Sequence, residues 1–273
     1  LLGGAVLFLL LCQLTAQASA SEFRLEGSTT LQPVLEELVI EFRRTRPGVI
    51  FDVSGGGSGR GIAALLNSDS AIAASSRFLK VEEIAAFQRG NTLPVPFQIA
   101  YDAIIPIVHK SNRVRSLSLT ELGQIYRGEI DNWRQLGGPD LAIVTVIRDL
   151  SSGTFQVWQE RVAGGVSQPG SGIYADSSDA VVHQVAKHRG AIGYIGLASL
   201  KASVRPQQVQ GLFGSMDNVR SGSYPLGRPL FLFTAGWPEG EVLDFINFVL
   251  DPGAGQRIIE DEGLIPLYRH KRR

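Results

Sequence analysis

The feature that most constrains this chain is a unit that recurs along it: a short β-like run, a turn rich in Ser, Thr and Gly, and then an amphipathic helix. Phe23 to Leu25 reads as a strand, Gly27-Ser28-Thr29-Thr30 as the turn, and Leu31, Val34, Leu35, Leu38, Val39 and Phe42, spaced by three and four, as one apolar helix face that Pro47 and Gly48 end. The unit returns as Val49 to Val53, Ser54-Gly55-Gly56-Gly57-Ser58-Gly59-Arg60-Gly61 and a helix carrying Ile62, Leu65 and Leu66. It returns again as Ala71 to Ala74, Ser75-Ser76-Arg77 and a helix from Val81 to Phe87. Strands that alternate with helices in this way predict an α/β protein with mainly parallel central sheets. No repeat of fixed period accompanies the pattern.

The composition changes around Pro94, Pro96 and Tyr101-Asp102, and the apolar run Ala103 to Val108 opens a second α/β unit. Within it we predict a helix at Thr120 to Arg127, a strand at Ile143 to Ile147, a helix from Thr154, a helix at Ser178 to Lys187 and a strand at Ala191 to Ile195. A fourth polar turn, Arg148-Asp149-Leu150-Ser151-Ser152-Gly153-Thr154, joins the middle strand to its helix. Pro229 to Thr234 reads as a strand and Val242 to Leu250 as a helix, with Asp251-Pro252 read as the N-cap and first position of a last helix at Gly255 to Glu262. These last elements are read as returning to the first unit, so that two connections, near residues 100 and 225, act as a hinge.

Bulk properties narrow the function. The chain of 273 residues is 44% hydrophobic and 19% charged, enough to bury a core, and its 26 basic residues balance 26 acidic ones. That balance argues against a nucleic-acid partner. The first twenty residues read as a cleaved leader: an apolar run from Leu1 to Leu14, shorter than the about 20 residues a bilayer core needs, then Ala18-Ser19-Ala20 at the cleavage point. The chain opens on Leu1 with no basic flank, which points to a longer upstream end. Cys12, the one cysteine, falls inside this leader, so the part from Ser21 onward has no disulfide or cysteine metal site; lipid attachment there is disfavoured by the bulky Leu11 before it. His109, His183, His188 and His270 are scattered, and neither a metal nor a cofactor is predicted.

The four polar turns carry the chemistry. A helix N-terminus supplies unpaired N–H groups and the positive end of the helix dipole, Ser and Thr add hydroxyls, and Gly lets backbone approach closely; together these bind anions. Arg148 adds a planar fork of donors. Any one turn is more simply a helix cap, and Arg148 alone more simply a surface ion pair with Asp149. Four such turns, each after a strand, are hard to explain that way, since ligands of open α/β sheets bind beyond the carboxyl ends of strands. The Gly-x-x-x-x-Gly-Lys-Ser/Thr, Gly-x-Gly-x-x-Gly and Gly-x-Ser-x-Gly patterns of nucleotide-binding proteins and hydrolases are missing, which weighs against a phosphate-handling enzyme.

Gly27-Ser28-Thr29-Thr30, then Ser54 to Gly61, then Ser75-Ser76-Arg77, then Arg148-x-x-x-Ser152-Gly153-Thr154, together with Tyr224-Pro225-Leu226 and Arg228-Pro229-Leu230, resemble the phosphate-binding proteins of bacterial phosphate ABC transporters. The resemblance covers nearly all of the chain after the leader. It implies a two-lobed type II periplasmic binding protein fold, with residues 21–100 and 225–273 in one lobe and 101–224 in the other. It also implies a monomeric, exported protein that takes phosphate to a membrane permease without acting on it chemically. Carried over by position, Thr29, Thr30, Ser58, Arg148, Ser152, Gly153 and Thr154 would hold the ion, with Ser28, Ser76, Arg77 and Asp102 as additional candidates. Ser76 stands where many relatives have an aspartate that accepts a hydrogen bond from protonated phosphate; by chain position Asp102 is the nearest carboxylate that could replace it, with a hinge or capping role as the alternative. Phosphate sensing or adhesion, and another oxyanion such as sulfate or arsenate, stay open beside this reading.

Overall fold

The computed structural model describes residues 21–164 and 172–268. The leader read at residues 1–20, with Cys12, and His270 lie outside the described residues. The elements run β1 (Ser21–Gly27), α1 (Gln32–Thr45), β2 (Val49–Ser54), α2 (Ser58–Leu66), β3 (Ile72–Ser75), α3 (Val81–Arg89), β4 (Pro94–His109), β5 (Ser116–Leu117) and α4 (Leu119–Arg127). They continue β6 (Val144–Arg148), α5 (Gly153–Trp158), β7 (Ile173–Ala175), α6 (Ser178–Lys187), β8 (Ala191–Gly196), β9 (Val204–Pro206), β10 (Gln208–Val209) and α7 (Met216–Arg220). The chain ends with β11 (Gly227–Ala235), α8 (Gly240–Leu250), α9 (Gly255–Asp261) and β12 (Ile265–Pro266).

The helix faces follow the predicted spacing where packing can use them. α1 buries Val34, Leu35, Leu38, Val39 and Phe42, and α2 buries Ile62 and Leu65, whereas Leu66 faces solvent. One capping prediction fails. Asp251 uses its carboxylate to hold the N–H of Gly253 at 2.7 Å, a turn that closes α8, and α9 starts after Ala254 instead.

The main sheet has the order β2-β1-β3-β11-β4-β8-β6-β7, with β9 and β12 added to β4. It is mixed rather than mainly parallel. Within each run of alternating strands and helices the strands pair in parallel, as β1 does with β2 and β3, and β6 with β7 and β8. The two long central strands break that rule: β4 and β11 run antiparallel to each other and to their outer neighbours β8 and β3. β4 is one strand of 16 residues, pairing with β11 over Pro94 to Ala103 and with β8 over Ile104 to Val108. The shift in composition near Asp102 therefore marks a change of partner and not a break in the chain's extended path.

Core side chains sort on either side of that change. One cluster is drawn from Ala103 to Leu226 with Ile265, and holds Trp133, Trp158 and Tyr194. Two others are drawn from Leu25 to Ala100 and from Leu230 to Leu264. The turns after β1, β2, β3 and β6 converge where these groups meet. Among the described residues no helix is long and apolar enough to cross a membrane, and no group of metal-ligating side chains could hold an ion.

Candidate functional site

β1 ends at Gly27, and the next residue, Ser28, anchors the turn to β3 through its N–H on Ala74 O at 2.9 Å. Its Oγ accepts the N–H of Thr30 at 3.2 Å and its carbonyl those of Leu31 and Gln32 at 3.0 Å, so side chain and backbone of Ser28 together shape the turn into α1. Ser28 and Thr30 are almost wholly buried, which is unusual for hydroxyls of an ordinary surface cap. In the glycine loop Gly57 caps α2 with φ +100°, and Ser58 opens the helix fully buried, its Oγ accepting the N–H of Ser76 at 3.0 Å. Ser28 Oγ and Ser76 Oγ are hydrogen-bonded to each other. Three strand ends are thus tied into one cluster of hydroxyls.

Arg77 leaves this cluster. Its Nη1 and Nη2 each donate to Glu83 at 2.7 Å, and Nη1 also to Phe78 O at 2.8 Å, so it is held against the first turn of α3.

The fourth turn closes on the other three. Arg148, at the end of β6, is 1% exposed. Tyr194 OH takes its backbone N–H at 3.3 Å; Nε donates to Ala175 O at 3.3 Å, and Nη2 to Asp176 O at 2.9 Å, Thr29 Oγ1 at 3.1 Å and, weakly, Asp149 Oδ2 at 3.4 Å. The hydrogen bonds its side chain makes among the described residues run from Nε and Nη2, none of them from Nη1. Ser152 is the N-cap of α5, accepting the N–H of Phe155 at 3.2 Å, so Gly153 and Thr154 carry the first N–H groups of that helix, which have no partner within it. Ser151 joins the glycine loop twice, donating from Oγ to Gly56 O at 2.7 Å and accepting the N–H of Gly59 at 2.9 Å. Gly57 is required there: a Cβ would lie 2.7 Å from Ser151 O. Thr30 Oγ1 and Thr154 Oγ1 stand 3.3 Å apart, a hydroxyl pair across the junction.

Beneath these hydroxyls lies a residue that the reading of the turns gave no role. Arg228, on β11, is 2% exposed and paired with Asp102, which is 0% exposed. Asp102 Oδ2 accepts from Nε at 3.0 Å and Nη2 at 2.7 Å, while Oδ1 accepts the N–H of Leu197 at 2.8 Å. Arg228 Nη1 donates to Ser76 O at 3.2 Å, and Nη2 reaches Thr154 Oγ1 at 3.0 Å and Thr30 Oγ1 at 3.4 Å. A signal for it was in the sequence: Arg228 precedes the apolar strand Pro229 to Phe233, and Asp102 the run Ala103 to Val108, where a charge has to find a partner.

Burial lowers the pKa of both Arg148 and Arg228, opposed by the nearby carboxylates of Asp149 and Asp102 respectively. Tyr194 is pushed up by its burial and keeps its proton. Two guanidiniums almost without solvent therefore stand beside one wholly buried carboxylate, since Asp149 has a side chain 36% exposed at the rim. The arrangement brings together Ser28, Thr29, Thr30, Ser58, Ser76, Arg148, Ser152, Gly153 and Thr154, turns Arg77 toward Glu83, and ties Asp102 to Arg228. Its chemistry is that of donors around an anion: hydroxyls, helix N–H groups and cations. His109, the last residue of β4, bonds the exposed Ser111.

A model of the PBP superfamily domain matches residues 14–252. Among curated proteins, the phosphate-binding protein PstS of Borreliella burgdorferi is 30% identical over 251 residues, covering 88% of each chain. The protein of the same name from Bacillus subtilis is 28% identical over 252 residues, covering 92% of this chain and 82% of its own. Among solved structures, a phosphate ABC transporter substrate-binding protein from Clostridium perfringens, with bound phosphate, superimposes with a TM-score of 0.84 at 34% identity, covering 91% of this chain and 100% of that one. An ABC-type phosphate transport receptor from Vibrio cholerae gives 0.75 at 27% identity, covering 89% and 99%. With this α/β fold, and with an anion cluster built from its own strand ends, the chain belongs to the PBP superfamily and, within it, to the PstS-like phosphate-binding proteins.

Proposed function

We propose that this chain is an exported, periplasmic solute-binding protein that encloses one inorganic phosphate ion and delivers it to the membrane permease of a phosphate ABC transporter. Its ligand groups are Thr29, Thr30, Ser58, Arg148, Ser152, Gly153 and Thr154, with Ser28 and Ser76 beside them. Residues 21–100 and 225–273 form one lobe and 101–224 the other, and β4 and β11 are the two connections that bend between them. The division of the core near Ala103 and Leu226 supports that partition, and the bonds of Ser151 to Gly56 and Gly59 are contacts that only a closed cleft makes. Closure then follows from the ion, because donors of both lobes meet it at once and so favour the closed state.

The observation that carries the reading is the pair of buried guanidiniums among converging hydroxyls and helix N–H groups, in a chain of this family. Calorimetry of residues 21–273 tests it. We expect one phosphate per chain with a Kd of micromolar or below, about −8 kcal/mol, a demand that a few charge-assisted hydrogen bonds meet. Titrations with sulfate and arsenate alongside identify the preferred ion. Neither heat nor a thermal shift with millimolar phosphate would exclude the function.

A further inference from the structure

We infer that Arg228, locked by Asp102, is a positioning residue that makes Thr30 and Thr154 donors to the bound ion. The inference rests on the phosphate reading of this site and assigns work to a pair outside its ligand set. A threonine hydroxyl has one hydrogen and two lone pairs. Arg228 Nη2 donates to Oγ1 of both threonines, at 3.4 and 3.0 Å, so each oxygen presents a lone pair to the guanidinium and turns its own hydrogen elsewhere. The two oxygens, 3.3 Å apart, hydrogen-bond to each other here, either one as donor, so one hydrogen is already free for the ion and the other is released to it when the ion takes the neighbour's place.

The fork cannot drift from that duty. Nε and Nη2 are held by Asp102 Oδ2, Nη1 by Ser76 O, and Asp102 in turn by the N–H of Leu197. Gly196 leaves room for this arrangement, because a Cβ there would come within 2.8 Å of both Asp102 Oδ2 and Thr30 Cγ2. The pair is neutral as a unit, so it contributes direction more than net charge, and the cation of the cluster with the longer carboxylate contact is Arg148, 3.4 Å from Asp149. Arg228 also touches residues from four separate segments: Thr30 after β1, Ser76 after β3, Asp102 on β4 and Thr154 on α5. One rigid group therefore sets two hydroxyls that lie 124 residues apart in the chain.

The test is a phosphate titration of Arg228→Lys in two backgrounds: the otherwise natural chain and the Thr30→Val/Thr154→Val variant. A lysine keeps the charge but cannot hold Asp102 and both hydroxyls together. We expect it to weaken phosphate binding at least tenfold in the natural background and less than threefold where the threonines are gone, a non-additivity that a residue serving only the fold would not produce. Equal factors in the two backgrounds, or a natural-background effect below threefold, overturn the inference. Should Arg228→Lys fail to melt cooperatively, the pair replacement Asp102→Leu/Arg228→Met takes its place, since apolar replacement of a buried ion pair preserves stability in many proteins. Failure of both to fold overturns the inference too, because the pair would then serve the fold. A natural chain that binds no phosphate sinks the function and the inference together; one that binds, with Arg228→Lys binding equally well, sinks the inference alone.

Discussion

Replacing Arg148 and Arg77 separately by alanine tests which of two buried arginines serves the ion. Arg148 is 1% exposed and Arg77 5%, so burial does not tell them apart. Their partners do. Both terminal nitrogens of Arg77 are spent on Glu83, and Glu83 also holds the N–H of Lys80 at 2.8 Å, so its ion pair closes within six residues of chain and leaves only the buried Nε without a hydrogen bond among the described residues. Arg148 is held by the carbonyls of Ala175 and Asp176, which orient its fork without neutralising it, and its single carboxylate contact is long, at 3.4 Å. A fork facing an oxyanion makes charge-assisted bonds worth about 1.5–3 kcal/mol each. Even one or two of them, offset in part by water that enters the space, leave a loss of at least about 2 kcal/mol for Arg148→Ala, roughly 30-fold in Kd. Arg77→Ala should change the affinity by less than about 0.5 kcal/mol, as a substitution away from the ligand does.

Calorimetry gives both affinities, and melting without phosphate reports stability separately. That control matters, because Arg148→Ala strips the carbonyls of Ala175 and Asp176 of a donor, at a cost of about 1–3 kcal/mol that is not a binding effect. Equal affinity losses for the two variants, or natural affinity in Arg148→Ala, would refute the assignment of Arg148 to the ion.

Three further outcomes are expected. Saturating phosphate should shrink the radius of gyration in small-angle scattering, and an unchanged radius argues against closure of two lobes. Tyr194→Phe should weaken phosphate binding by about 1 kcal/mol, the worth of one neutral hydrogen bond, since it removes the acceptor for the N–H of Arg148; with the ring still stacked 4.2 Å from Trp158, the far-ultraviolet dichroism should stay as it is. An affinity unaffected by Tyr194→Phe would show that Arg148 needs no such support. Asp102→Asn should weaken phosphate and sulfate binding alike, leaving their ratio within threefold of its starting value; a ratio narrowed tenfold would mean that the carboxylate reads the ion's proton after all.

The parts of this molecule that could be read from sequence are those encoded within one turn of chain. The β1–α1 unit is an example: the spacing of Val34, Leu35, Leu38, Val39 and Phe42 fixes the buried face whatever else the protein does. The donor turns were legible for the same reason, because Ser, Thr or Gly between a strand and a helix is a local pattern. What depends on other segments was not. Proline read as punctuation at Pro94 and Pro96 lies within β4, where each pairs across to β11, opposite Ala235 and Phe233. The start of α9 is set by packing on α8, since Gly255 sits where a Cβ would come within 2.6 Å of Val249 backbone, and no capping signal at Asp251 could reveal that. Arg228 was visible but mute. Its partner lies 126 residues away, brought opposite it by the register of β11 on β4, which pairs Arg228 with Asp102.

That register also changes how the site can tell phosphate from sulfate. Phosphate that keeps a P–OH needs an acceptor, and each carboxylate near the cluster already has its work. Asp102 holds Arg228 and Leu197; Asp149 Oδ1 accepts from Ser151 and Oδ2 lies against Arg148; Glu83 holds Arg77 and Lys80. Apart from the exposed Asp176, whose charge acts on Arg148, the acceptors left are the lone pairs of hydroxyls, and the hydrogen-bonded pair of Ser28 and Ser76 offers one that can change role, since either can donate to the other. A carboxylate can only accept, so it would repel an ion lacking the proton, and such a site discriminates strongly. A serine can rotate and donate instead. On the phosphate reading, then, Ser76 should favour phosphate by less than a fixed charge would. Selection against sulfate would rest on how firmly Arg228 and Ser58 hold the Ser76 backbone, by its carbonyl at 3.2 Å and its N–H at 3.0 Å, and with it the direction of that hydroxyl.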